Sequence, residues 1–344
     1  MASRRIAAVL GDSGACEAVQ LVPLVAASSR VALNFHPDRI ANDGRTVAEE
    51  LLEDGIYRSQ FESGISNGSL TAFAGGDRDL WEEQIFGGAY QRAGAVAHER
   101  PKYGGLNLMN HSDGPCPRFG SCHLRLRSEV LTRTTFCFGD TYLSPTDVGT
   151  IDAFDSVLAG LLETTAATGV ALGRAHTTVE SLVTMIQGLT ADTGRVTVVQ
   201  GRALDDYIEA QVHGPIELAA DAEAIVADPS FRGTAIGRTM QELSRRYDLD
   251  LTWHAGFELD VADVDAEFRG PTIPVIAAHI DRKLGGGSGR LHAELVGRAA
   301  RSLVTAPGEW ADWGAHAEVL QYVKQLWHVL VRFGAAAASD HRST

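Results

Sequence analysis

At 344 residues, with 44% hydrophobic and 22% charged side chains, the chain is long enough for one large or two ordinary globular domains with a sizeable buried core. A formal charge of -14 argues against bulk binding to nucleic-acid backbones, which calls for a basic patch or stripe. No window approaches the roughly 18 uninterrupted apolar residues of a membrane span, and four scattered cysteines build no disulfide framework; the expectation is a cytoplasmic protein without a membrane partner.

Arg4-Arg5 precedes an apolar run, but Gly11-Asp12 breaks it before signal-peptide length, so residues 1–30 are expected to be a helical or irregular segment. Residues 31–36 are a short β-rich run. After Pro37-Asp38, residues 46–52 predict a helix closed by Gly55. Residues 56–62 read as a strand and Asn67-Gly68 as a tight turn, followed by a short helix over 81–89. Strands are predicted at 105–109, 122–127 and 134–138. Ser144-Pro145-Thr146-Asp147 offers an N-cap residue, a proline at the first helical position and an acid in the first turn. It precedes Ile151, Phe154, Leu158 and Leu161, which predict a helix. A second helix carries Val179, Leu182, Val183, Ile186 and Leu189, and strands are predicted at 196–200 and 206–213. Gly285-Gly286-Gly287-Ser288-Gly289 reads as a linker or wide loop. Beyond it Val319, Val323, Leu326, Leu330 and Phe333 recur at helical spacing, with Trp327 widening the stripe. The division expected is 1–30, a main unit over 31–270, and a helical C-terminal unit over 271–344.

The predicted strand at 207–213 alternates strictly. Ile208, Ala210 and Val212 would face the core, while Tyr207, Glu209, Gln211 and His213 share the other face. A row of acid, amide and imidazole suits a cleft for a polar substrate; the same pattern also fits a solvated face of an ordinary antiparallel strand. In the run 33–39, Asn34 and His36 share a face opposite Leu33 and Phe35, and His36 falls at the strand end.

His111, Cys116, Cys122 and His123 are candidate metal ligands close in sequence. Their spacing matches no common zinc pattern, and Cys122 and His123 alternate to opposite strand faces, so no metal is expected. There is no Walker loop, no glycine fingerprint between a strand and a helix, and no Gly-x-Ser-x-Gly elbow. Kinases, Rossmann dehydrogenases and serine hydrolases are therefore disfavoured.

Four segments carry a resemblance: Asn34-Phe35-His36-Pro37-Asp38-Arg39, residues 60–68, residues 99–107 and residues 207–216. Over them the chain resembles the bacterial family known as domain of unknown function 3626. Arg100-Pro101-Lys102-Tyr103-Gly104, residues 134–140 and residues 207–211 are similar in order to segments of ADP-ribosyltransferase-like proteins. That resemblance implies an α+β fold with a split, bent β-sheet core, added helices and a helical C-terminal unit, binding NAD in a cleft.

It also implies roles. His36 would stand on the first core strand, Tyr142 or an element around Ser66 in the middle, and Glu209 on a late strand, with Gln211 beside it. Glu209 would oppose the positive charge of an oxocarbenium-like transition state, and His36 would orient the adenosine ribose. Tyr103 or Tyr142 would stack on nicotinamide, and Arg39 or Arg100 would face the pyrophosphate. Ser66, Asn67 and Gly104 complete the expected NAD contacts. The activity implied is NAD-dependent ADP-ribosyl transfer, with NAD as substrate and the acceptor open among protein, nucleic acid and small molecule. A metal-dependent hydrolase and an inactive interaction domain on the same fold are the alternatives.

Overall fold

The computed structural model describes residues 1–65, 71–189, 202 and 204–336, with only the backbone of 12–19 inside the first helix. Helix α1 (Ala2–Ser28) is interrupted at Gly11, where φ is 74°, and leads into β1 (Val31–Phe35). Three helices follow: α2 (Val47–Asp54), α3 (Gln60–Ser63) and α4 (Asp77–Phe86). Then come β2 (Lys102–Leu106), β3 (Cys122–Leu126), β4 (Thr134–Phe138) and β5 (Val148–Thr150). Helix α5 (Asp155–Thr168), the small hairpin β6 (Val170–Ala171) and β7 (Arg174–Ala175), and α6 (Val179–Gln187) precede β8 (Ile208–Val212). After α7 (Leu218–Asp221), β9 (Ala222–Ala227), α8 (Ala235–Tyr247) and β10 (Asp250–Trp253) form a strand–helix–strand unit. The chain ends with β11 (Glu258–Asp260), α9 (Ala266–Arg269), α10 (Thr272–Leu284), β12 (Arg290–His292), α11 (Ala293–Thr305) and α12 (His316–Phe333).

Among the described residues, eight strands make one sheet in the order β10-β9-β3-β1-β2-β8-β4-β5. Every pairing between its named strands among the described residues is antiparallel except β9 with β10, the pair that α8 connects and packs against. The architecture is therefore mixed α+β around a large, mostly antiparallel sheet.

The register separates two chemically different faces. Leu33 lies opposite Leu124 and Leu124 opposite Ile225; across the sheet Gly104 meets Ala210, and Ala210 meets Phe136. This face is apolar. Helix α5 packs against β4, β5 and α1, with Phe136 and Phe154 in edge contact at 5.5 Å. One residue along each strand the partners change character: Asn34 meets His123, Tyr103 meets Gln211, and Cys137 meets Glu209. All five residues of β1 are buried, so the polar face of the sheet is covered too and is no solvated surface.

Several local expectations are corrected. Residues 56–62 are not a strand: Ile56 makes one isolated bridge to Glu217, and Ser59 begins α3 with Glu62 completing a capping box. β2 starts earlier than expected, at Lys102. Ser144 is no N-cap; it closes a 3-10 turn over Thr141–Leu143 at φ 52°, and the helix begins only at Asp155. Asp147 instead holds Arg5, at 2.5 and 2.9 Å. The predicted strand at 196–200 and the Asn67-Gly68 turn lie outside the described residues.

In the C-terminal region α10, α11 and α12 pack on one another, and α12 buries Val319, Val323, Leu326, Trp327 and Leu330. The glycine run after α10 is a turn organised by Asp281. The main-chain N–H of Gly289 and the hydroxyl of Ser288 both donate to its carboxylate at 3.1 Å. Strand β12 pairs with β11 in a separate two-stranded sheet, not with the main sheet.

Candidate active site

A cleft of about 290 Å³ opens on the polar side of the sheet, over the neighbouring strands β1, β2 and β8. His36, Tyr103 and Glu209 all line it. Tyr103 and Glu209 share a face by register, since Tyr103 pairs with Gln211 two residues along from Glu209. Gly104 also lines the cleft, and a Cβ there would stand 2.2 Å from the carbonyl oxygen of Ala32; only glycine lets β2 come this close to β1.

Glu209 is 4% exposed and surrounded by donors. The Gln211 side-chain amide donates to Oε1 at 2.9 Å, the Thr141 hydroxyl donates to the same oxygen, and the Thr141 N–H approaches Oε2 at 3.4 Å. Burial, and then the charge of Asp140, nevertheless raise its pKa above the usual carboxylate range, while Thr141, Gln211 and Arg78 pull it down. The result is a carboxyl poised between two protonation states in a partly apolar cleft, the condition that general acid, general base or electrostatic roles require.

His36 follows β1 directly and is buried at 6% exposure. Its ring meets the edge of Trp327 at 5.1 Å, and the Ser121 hydroxyl stands 3.5 Å from Nδ1. Burial, then the neighbouring Arg39, His328 and Lys324, hold its pKa well below the ordinary imidazole value, so the ring is neutral at neutral pH. Arg39 lines the same cleft at 8% exposure, and its Nη1 has no hydrogen-bond partner.

The remaining expected residues divide. Tyr103 lines the cleft, donates to Glu82 at 3.1 Å and lies under the Arg78 guanidinium, 4.3 Å from its ring centroid. Tyr142 also lines the cleft, but on the 3-10 turn at its mouth, 58% exposed and edge-on to Trp81 at 6.0 Å. Gln211 does not line it; its amide links Thr135 to Glu209 and so positions the carboxyl. Arg100 is absent from the lining because its guanidinium is committed to Asp79 at 2.6 Å and Glu82 at 2.8 Å, over the ring of Phe61. Ser66 and Asn67 lie outside the described residues.

Sequence reasoning missed Arg78, Thr141 and Asp140. Arg78 sits in an α4 with no strong amphipathic pattern, and the residues that hold Glu209 come from the turn after β4, where no periodicity operates. The suspected metal ligands do not converge. Cys122 and His123 point to opposite faces of β3 by register with Phe35 and Asn34, Cys116 bonds to Asn34, and the His111 ring reaches the Leu172 carbonyl at 3.4 Å. Among the described residues, no three of His, Cys, Asp and Glu are grouped to hold a metal ion. Nor is any helix among them long and apolar enough to cross a membrane.

The family model described as Protein of unknown function (DUF3626) matches residues 30–333, and the chain belongs to that family. No curated protein matches it.

Proposed function

We propose that this DUF3626 protein is an NAD-dependent ADP-ribosyltransferase-like enzyme, on a core of the split, bent type, that takes NAD as substrate in the cleft over β1, β2 and β8. The observation that carries the reading is the meeting of His36, Tyr103 and Glu209, from distant parts of the chain, on one cleft across three adjacent strands. In the reaction the bond between nicotinamide and ribose breaks, and its electron pair leaves with neutral nicotinamide. An acceptor nucleophile then bonds to the ribosyl carbon and loses a proton. Positive charge develops on the ribose in between, and the Glu209 carboxylate opposes it more strongly in the transition state than in the ground state.

Neutral His36 orients the adenosine ribose. Tyr103, held by Glu82 and Arg78, or Tyr142 at the mouth stacks on nicotinamide. Arg39 faces the pyrophosphate, a role for which the paired Arg100 is no longer free. Gln211 and Thr141 keep the Glu209 carboxyl aimed.

The test is twofold. A thermal-shift titration with NAD should raise the melting temperature, because a ligand that binds only the folded state stabilises it by mass action. Nicotinamide release, followed by chromatography with protein, nucleic-acid and small-molecule acceptors, should depend on Glu209. An unchanged melting temperature together with no release above background would sink the proposal.

A further inference from the structure

We propose that Tyr90, His213 and Thr135, none of which lines the cleft, are positioning residues for Glu209: they form a hydrogen-bond relay that fixes which end of the Gln211 side-chain amide meets the carboxyl. The inference rests on the reading of Glu209 as the carboxylate that acts in the cleft, and goes beyond it to what holds that group in its charged form.

The contacts run from the loop after α4 to the acid. Tyr90 Oη meets His213 Nδ1 at 2.5 Å and His213 Nε2 meets Thr135 Oγ1 at 2.9 Å. The Thr135 hydroxyl donates to Gln211 Oε1 at 2.9 Å, and the Gln211 amide donates to Glu209 Oε1 at 2.9 Å. The strands explain why these groups meet. Thr135 on β4 is the register partner of Gln211 on β8, and His213 follows Gln211 by the two-residue period of a strand face. The pairing continues to His213, whose main-chain N–H donates to the Arg133 carbonyl at 3.1 Å while its own carbonyl accepts from the Arg133 guanidinium. Phe86 meets the imidazole edge-on at 5.1 Å and helps to fix the ring.

The direction of the relay follows from the acid. An ionised carboxylate only accepts, so the amide presents its nitrogen, which also faces Cys137 Sγ at 3.3 Å. Gln211 Oε1 is then turned to Thr135, and a carbonyl oxygen takes the single hydroxyl proton. The Thr135 oxygen is left to accept, which places the imidazole proton on His213 Nε2, and Nδ1 in turn accepts from Tyr90. Burial, then Arg133, lower the His213 pKa, so the ring is neutral and its tautomer sets the direction. With the proton on Nδ1 instead, Thr135 gives its own proton to the ring. The amide then turns its oxygen toward Glu209, an arrangement that only the protonated acid satisfies. The relay as built thus favours the charged form. Asp140, Arg78, Tyr103, Tyr207, Cys116 and Cys137 also act on Glu209, and substitution at Thr135 leaves all of them in place.

The experiment is an NMR titration of the intact protein without ligand. In protein carrying isotope-labelled glutamate, with Glu209→Gln identifying the resonance, the Glu209 carboxyl reports its own protonation. Thr135→Val keeps the β-branched shape and removes the hydroxyl; it should raise the Glu209 pKa by about one pH unit, a tenfold loss of ionisation and the size of one misplaced charge-assisted hydrogen bond. Thr135→Ser restores the hydroxyl and should return the wild-type value. The imidazole nitrogen shifts should show wild-type His213 as the Nε2–H tautomer once Glu209 is ionised, and Tyr90→Phe should let the Nδ1–H tautomer appear. A Glu209 pKa that Thr135→Val leaves unmoved, or that Thr135→Ser moves equally, overturns the proposal, and so does an Nδ1–H tautomer in the wild type. Tyr90→Phe removes only a hydroxyl from a half-buried ring, so it decides should Thr135→Val fail to fold: an unchanged tautomer overturns the relay. The expected shifts in a protein that releases no nicotinamide support the relay and remove the transferase reading alone. An unmoved Glu209 pKa in a protein that does cleave NAD removes the relay alone.

Discussion

At Glu209 the chemistry turns on how a buried carboxyl keeps its charge. The proposed role needs the ionised form, and burial with Asp140 makes that form harder to reach. Turnover should therefore rise with pH through this raised pKa and level off above it. His36, held well below its ordinary value, stays neutral over the same range and adds no second limb. Glu209→Gln preserves shape while removing the charge; nicotinamide release should fall by roughly 10²–10³ with NAD affinity little changed, and the acid limb of the kcat/KM profile should vanish. An acid limb that survives in the variant would assign the titration to another group. The same shift has a consequence for stability. A carboxyl whose folded pKa is raised contributes fully below its unfolded pKa, and that contribution is lost as pH rises through the folded value. Glu209→Gln should thus melt above the wild type at pH 8 and show no such advantage at pH 4, as scanning calorimetry would reveal.

Among the elements, α2 does more than pack. Thr46 and Glu49 form a reciprocal capping box, with the Thr46 N–H donating to Glu49 at 2.7 Å. The first two N–H groups inside the helix, of Val47 and Ala48, donate to the carbonyls of Arg39 and Pro37, each at 2.9 Å. The helix start thereby pins the turn that carries His36 and Arg39. Thr46→Ala should cost about 1 kcal/mol, read as a lower denaturant midpoint at constant m-value, and should also weaken binding of NAD. A stability loss with unchanged affinity would separate the cap from the site. This helix was legible in the sequence, because caps and the closing Gly55 are local chemistry, and β1 and β8 were legible from their β-rich or alternating side chains. The strand expected at 56–62 fails for an instructive reason: Ser59 and Glu62 already spelled a capping box, and it outweighs the apolar alternation around them. What alternation in β8 could not convey is what covers its polar face. Glu209 and Gln211 look the same in sequence whether they meet water or a cleft, and the groups that meet Glu209 come from remote segments such as Thr141 and Arg78.

Across the whole molecule, the C-terminal helices are seated directly on the turn that carries the site. Gly297 lies inside α11, where alanine would ordinarily be favoured over glycine by about 1 kcal/mol. Here a Cβ would fall 1.4 Å from Asp38 Oδ2, so a side chain must drive Asp38 away and carry the adjoining Arg39 with it. Gly297→Ala should therefore destabilise the protein despite the better helix propensity, and should weaken binding of NAD. Asp38 itself offers the control. Burial raises its pKa to about 6 against the pull of Arg39 and of its own backbone N–H, and shortening it removes the obstruction. Asp38→Ala takes a counter-charge from buried Arg39 and should destabilise the wild type, but it should cost less in the Gly297→Ala background, giving a favourable coupling between the two sites in a double-mutant cycle. A Gly297→Ala protein that melts above the wild type, or two substitutions whose effects simply add, would mean that α11 does not rest on this turn and that the C-terminal helices leave the cleft to the sheet alone.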